Sequence, residues 1–302
     1  MYCDRTTFLR AREAYSEQTA ISCKRELSSF VVLVVALVTT CGSVCAFAQI
    51  KSETPGASKS AMSQLSHVQV GGYLAGREPD FLDILPPYPN FGSIQDQADV
   101  TTLRQWQQPG DSARWQLANE DVKMSYDRFA QTFGTKISQA NTPLLVQLLD
   151  RVEQDVQTVA FSAKGFYNRP RPFQRFQMEH VCGAEKAPAA EASPKGGSSY
   201  PSGHTSFGWA AVLVLAEVAP ERAPELLARG REYGESRIVC AVHYPSDVVA
   251  GELIAATVVA RLHADKEFSA DLNCAEQEHA LRKSSAQLSK ACQIREGELR
   301  QQ

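Results

Sequence analysis

The chain has 302 residues, 43% of them hydrophobic and 22% charged, with a formal net charge of −3. That length accommodates one large domain or two small ones. The charge balance carries neither the basic excess expected of a nucleic-acid binder nor an acidic tail.

Residues 1–29 are polar and carry Arg5, Arg10, Arg12, Lys24 and Arg25. An unbroken apolar run, Phe30–Val38, follows, and then Ala46-Phe47-Ala48 ahead of Gln49. A charged segment, an apolar segment and an A-x-A site in this order predict a secretory signal peptide over residues 1–48, cleaved near Ala48. The rival reading is a retained anchor. Thr39, Thr40, Gly42 and Ser43 interrupt it, whereas a span needs ~20 apolar residues. Cleavage leaves 26 basic and 30 acidic residues, a net charge of −4. It also leaves Cys182, Cys240, Cys274 and Cys292, an even set that in an exported chain suggests disulfides. Free buried thiols are the alternative. With no C-x2-C or paired-histidine spacing, the pattern predicts no metal site.

Residues 49–80 read as a flexible leader, rich in Ser and Ala as far as about Gly72. The doubled proline at Pro86-Pro87 stops any helix there. Gln95–Gln107 has helical character. Asp111 is placed to cap a helix carrying Trp115, Leu117, Val122 and Phe129. From Asn141, with Pro143 near its start, a helix runs through Leu144, Leu145, Leu148, Leu149, Val152, Val156 and Ala160, a stripe at core spacing. It delivers Lys164 just past its end.

The segment between Cys182 and Ser199 reads as a mobile loop. His204–Val218 and Ser246–Leu262 are apolar but too short to span a membrane, and their small residues, Gly208 and Gly251 among them, suit close helix packing. A helix from about Glu221 towards Ile238 lies between them. Residues 269–302 read as a charged helical appendage to a domain over residues 81–268. No strand alternation is visible, so the fold class is all-α, a single-domain bundle of about eight or more helices.

Three stretches carry chemistry. The first is Lys164-Gly-Phe-Tyr-Asn-Arg-Pro-Arg171-Pro172, the second Pro201-Ser202-Gly203-His204, and the third Ser236-Arg237 followed by His243 and Asp247. Ser202 is a good helix N-cap. Gly203 and His204 then lie at a helix mouth, where unpaired N–H groups and the helix dipole favour an anion such as phosphate. Lys164, Arg171 and Arg237 neutralise phosphate charge. His243 can act as nucleophile or base, and Asp247 can fix its tautomer. Singly, each has a bland reading as a cap or a solvated charge. Arg169 reads as structural or rim, and Tyr200 and Tyr244 as rings packed near the substrate.

The order Lys-x6-Arg-Pro, Pro-Ser-Gly-His, Ser-Arg-x5-His-x3-Asp resembles the type 2 phosphatidic acid phosphatase superfamily. That group includes bacterial non-specific acid phosphatases and vanadium haloperoxidases. Within it the chain looks like the secreted class A acid phosphatases over roughly Phe81 to Leu262. Ser198 stands where that branch's signature has glycine, and Ala241 where its members often have glycine.

The resemblance implies hydrolysis of small phosphomonoesters without a metal or other cofactor. His243 is then the nucleophile, forming a phosphohistidine, and Asp247 orients it. His204 is the general acid and base, and Lys164, Arg171, Ser202, Gly203 and Arg237 hold the phosphoryl group. An acid optimum and a periplasmic or secreted location are implied with it. Neither nucleic acid nor stable membrane insertion is expected after cleavage, and a homo-oligomer is left open. Of three possible disulfide pairings, Cys182–Cys240 is favoured because both residues flank motifs that must meet, with Cys274–Cys292 as a local closure. The alternatives are a vanadate-dependent haloperoxidase, a lipid phosphate phosphatase, or a phosphate-binding module without turnover.

Overall fold

The computed structural model describes residues 71–299 apart from 109, 111, 184–196 and 283–286. The expected signal peptide, the leader as far as residue 70, Asp111 as a cap, and most of the loop between Cys182 and Ser199 lie outside the described residues. Within them the chain is all-α, as expected, with eleven α-helices, one 3-10 turn and no strand. In chain order the helices are α1 (Phe81–Ile84), α2 (Ile94–Trp106), α3 (Ser112–Glu120), α4 (Asp127–Phe133), α5 (Pro143–Tyr167), α6 (Pro172–Arg175), α7 (Gly203–Val218), α8 (Ala223–Val239), α9 (Pro245–Leu262), α10 (Lys266–Leu281) and α11 (Lys290–Leu299).

Helix α7 is the centre of the packing. It is apolar nearly all round, which is the composition of a helix enclosed by others. Helices α8, α9 and α5 surround it. Two glycines permit the close approach. A Cβ on Gly208 would stand 2.3 Å from Tyr233 Cδ1, and one on Gly251 would stand 2.6 Å from the Ser202 carbonyl oxygen. Helix α5 starts with Pro143 in its first turn and buries the predicted stripe, including Leu145, Leu148, Leu149, Val152, Val156 and Ala160. It runs further than predicted and ends at Asn168, whose φ of 45° forms a left-handed cap. Lys164 therefore lies inside the last turn, not beyond it.

Three further expectations are corrected. The single helix carrying Trp115 through Phe129 is broken: α3 stops at Glu120 and α4 starts at Asp127. At the break the buried Asp121 carboxylate accepts from Arg128 Nε at 2.8 Å and Ser236 Oγ at 2.7 Å, and from Arg229 as well. Those tertiary bonds outcompete helix continuation, which would have left the carboxylate on a helix face.

The leader ends earlier than residue 80. Tyr73 and Leu74 are buried, and their N–H groups donate to Asp155 at 2.8 and 3.1 Å. Nor do the residues after 268 begin an appendage, because that boundary falls inside α10. Phe268, Asp271, Cys274 and Ala275 of α10 are buried, and Asp271 accepts from Tyr73 Oη at 2.8 Å and Arg151 Nη1 at 3.1 Å. Both favoured disulfides are formed, Cys182–Cys240 across 58 residues and Cys274–Cys292 across 18.

Candidate active site

The helix ends bring the three stretches together. Lys164 sits in the last turn of α5 and Arg171 at the start of α6. Ser202 caps α7, its Oγ accepting from Thr205 N at 3.3 Å. Arg237 sits in the last turn of α8, and Asp247 in the first turn of α9. His243 lies on the turn between α8 and α9. Ser202 N donates to the Asp247 carbonyl at 2.9 Å, which ties the start of α7 to the start of α9. A Cβ on Gly203 would lie 3.5 Å from Lys164 Cε, so the helix mouth abuts the lysine.

His243 is buried, and its two ring nitrogens face different groups. Arg171 Nη1 lies 3.2 Å from Nε2. A guanidinium can only donate, so Nε2 carries the lone pair and Nδ1 the proton. Asp247 Oδ2 stands 3.4 Å from Nδ1, which makes no hydrogen bond while the ring is neutral. Asp247 reaches back instead to Tyr244 N, which donates to Oδ2 at 2.7 Å. Burial, followed by the charges of Arg171 and Lys164, pushes the His243 imidazolium well below its ordinary range. The ring is neutral, and its electron pair accepts from the Arg171 cation.

The cations crowd one another. Lys164 is buried and donates to the Ser198 carbonyl at 2.8 Å. Burial and the neighbouring Arg171 pull its pKa down to about 7. Arg171 Nη1 also donates to the Val242 carbonyl at 2.9 Å, and burial lowers its pKa. Arg237 Nη2 donates to the Ala118 carbonyl at 2.9 Å, and burial lowers its pKa to about 10. Its Nε is buried without a partner. Desolvated cations packed together destabilise the unligated fold, and a polyanion among them relieves that cost.

His204 Nε2 lies 2.9 Å from the Val122 carbonyl. A carbonyl accepts, so Nε2 carries a proton and, in the neutral ring, Nδ1 carries the lone pair. Burial, then Arg237, lowers the His204 pKa to about 4, against the Val122 hydrogen bond, which raises it.

Around these groups lies a supporting layer that sequence reasoning largely missed. Arg169 is fully buried, which fits the structural half of its expected role and not the rim half. It donates to Asp247 Oδ1 at 2.6 Å, to Ser246 Oγ at 2.8 Å and to Asp99 Oδ2 at 3.1 Å. Tyr244 is fully buried too, with its ring 4.0 Å from the Arg169 guanidinium carbon. Asp99 and Asp121 give no signal in the sequence, since a lone carboxylate on a polar helix looks like a solvated charge. Ser198, at the position where the resembling branch has glycine, is buried. Its Oγ accepts from Arg169 N at 3.0 Å and donates to the Tyr200 carbonyl at 3.0 Å, so the first two motifs are tethered through it. Ala241 has a φ of 54°, the left-handed region that glycine adopts freely.

A family profile, "PAP2 superfamily", matches residues 151–269. The chain is 35% identical to a "Non-specific acid phosphatase" of Providencia stuartii over 206 residues, covering 67% of this chain and 81% of the relative. It is 36% identical to an "Acid phosphatase" of Zymomonas mobilis subsp. mobilis, covering 68% of this chain and 78% of the relative. A "Non-specific acid phosphatase" of Salmonella typhimurium is 39% identical over 53% of this chain and 64% of its own length. With the three motifs gathered at converging helix ends, the chain belongs to the PAP2 superfamily and is related within it to non-specific acid phosphatases.

Proposed function

We propose that the protein is an exported acid phosphatase that hydrolyses soluble phosphomonoesters through a phosphohistidine on His243, without a metal. The observation that carries this is the contact between Arg171 Nη1 and His243 Nε2 at 3.2 Å. It puts an unprotonated ring nitrogen beside a group that binds phosphoryl oxygens bidentately. The relatives' names support the activity. Export rests on the sequence pattern of residues 1–48 and on the two disulfides.

In the reaction, Lys164, Arg171 and Arg237 hold the phosphoryl oxygens and offset the charge moving through the transition state. Ser202 Oγ already accepts from Thr205 N and Thr205 Oγ1, which leaves its own proton to donate. The Gly203 amide at the helix mouth adds a second donor. His243 Nε2 forms the N–P bond as the ester P–O bond breaks. The leaving oxygen takes a proton from His204. The positive charge that develops on His243 faces Asp247, which Arg169 holds in place. His204 then removes a proton from water, water forms the new P–O bond, and the N–P bond breaks to regenerate neutral His243.

The test is p-nitrophenyl phosphate hydrolysis by the protein from Gln49 onward in excess chelator, beside His243→Ala. Metal-free turnover abolished by the substitution is expected. Turnover surviving in His243→Ala would contradict the nucleophile assignment. Among the described residues no helix is long and apolar enough to cross a membrane. Phosphatidic acid hydrolysis in detergent exceeding that of soluble esters would favour a lipid substrate. Bromide oxidation by peroxide with added vanadate would favour the haloperoxidase reading.

A further inference from the structure

We propose that Asp121 is a positioning residue that holds His204 and Arg237 in place through the backbone carbonyls on either side of it. The inference rests on the phosphatase reading above and adds a residue that the three motifs do not contain. Residues 118–122 form a saddle at the end of α3. The Ala118 carbonyl accepts from Arg237 Nη2 at 2.9 Å, and the Val122 carbonyl accepts from His204 Nε2 at 2.9 Å. Two site residues from different helices therefore hang from one short stretch of backbone.

Asp121 lies between those carbonyls, and its own amide donates to the Leu117 carbonyl at 2.9 Å. Its carboxylate is fully buried and clamps the saddle to two other elements. Arg128 of α4 donates through Nε at 2.8 Å, Ser236 of α8 through Oγ at 2.7 Å, and Arg229 of α8 through Nη2. Arg114 of α3 donates to the same Ser236 Oγ at 3.0 Å, and the Tyr233 ring of α8 stacks on His204 with centroids 6.5 Å apart. Ser236 is the part of the Ser-Arg motif to which the phosphoryl chemistry gives no task. Its hydroxyl instead ties the saddle to the helix that carries Arg237.

The consequence is specific. With Nε2–H fixed on Val122, His204 presents Nδ1 as the atom that gives and receives the proton. Loss of the Asp121 charge leaves Arg128 and Arg229, both part-buried, with only the more exposed Glu120 and Glu232 as partners, and frees the saddle to shift. His204 then loses its acceptor and its alignment, while His243 and Arg171 keep theirs. The Arg237 part of the defect weakens phosphoryl binding for every ester alike, and the His204 part falls on leaving-group protonation alone.

The experiment measures kcat/KM for p-nitrophenyl phosphate and for glycerol phosphate, in wild type and Asp121→Asn. A p-nitrophenolate leaves without a proton, whereas an alkoxide needs one. General acid catalysis contributes roughly 10²–10⁴-fold, so a misaligned His204 should lower kcat/KM on the alkyl ester at least about tenfold more than on the aryl ester. His204→Ala should shift the ratio in the same direction and further. Equal losses on the two esters, or no loss, would overturn the proposal. If Asp121→Asn does not fold, as judged by circular dichroism, Ser236→Ala removes one donor from the clamp and the same ratio decides. A wild-type protein inactive on both esters would instead overturn the phosphatase reading itself, an outcome distinct from an active enzyme whose ratio does not move.

Discussion

Arg169 Nη1 lies 2.6 Å from Asp247 Oδ1, and both side chains are fully buried. The carboxylate that faces His243 is thus anchored by a second charge rather than by the histidine. Complete burial pushes the Asp247 carboxyl up, while the Arg169 guanidinium and the Tyr244 N–H pull it down. The ion pair keeps an anion in a place where, unpaired, it would take up a proton.

Removing Arg169 should therefore be costly twice over. Arg169→Met leaves Asp247 and Asp99 buried without their cation, and breaking such a pair costs about 3–5 kcal/mol. Urea denaturation should show a loss in that range, and the surviving folded fraction should have a lower kcat. Arg169→Lys keeps the charge and loses the fork that spans both carboxylates, so it should fall between. A stability close to wild type in Arg169→Met would contradict the arrangement.

Lys164 gives a prediction with a definite sign. Its pKa falls from the ordinary 10.5 to about 7 in the folded protein. Between those values the unfolded chain holds a proton that the folded chain has released, so this residue's cost to stability shrinks as pH rises. At pH 6 the lysine is charged in both states and its burial cost is fully present. Lys164→Met should abolish turnover and yet stabilise the fold at pH 6, by about 1–2 kcal/mol once relaxation discounts the shift. The gain should diminish towards pH 10. Urea titrations at the two pH values would read it. A Lys164→Met protein less stable than wild type at pH 6 would contradict the desolvation account.

Ala241 offers a test on the backbone alone. Its φ of 54° places a Cβ in the left-handed region, which disfavours non-glycine residues by roughly 1–2 kcal/mol. Ala241→Gly removes that strain and adds chain entropy to the unfolded state, so a net gain of about 0.5–1 kcal/mol is expected. Thermal melts should show it as what remains after the packing of a methyl buried beside Leu103, Tyr244 and Val248 is lost.

Much of this was legible in the sequence. Ser202 was readable as a cap because its neighbours specify a helix start. The α5 stripe was readable because core spacing is local, and Gly208 and Gly251 because small residues permit close packing. The motif residues could be placed by their order. What could not be read depends on contacts distant in sequence. Arg169 and Asp247 are 78 residues apart, and Arg229 and Asp121 are 108 apart. Nothing near Asp121 announces that its carboxylate will be buried, so the helix was expected to run through it. Tyr73 and Leu74 sit at the end of a polar stretch, and only Asp155 of α5 reveals them as core.

The central claim is a covalent bond between phosphorus and His243. Phosphohistidine survives base and is lost in acid, so the enzyme should be mixed with p-nitrophenyl phosphate, quenched within milliseconds in alkali, and digested for mass spectrometry. The account predicts one phosphoryl group on the peptide carrying His243, absent after an acid quench, absent in His243→Ala, and more abundant in a variant with His204 replaced, where water is activated poorly. A phosphoryl group on another residue, or full turnover with none trapped in any variant, would contradict it.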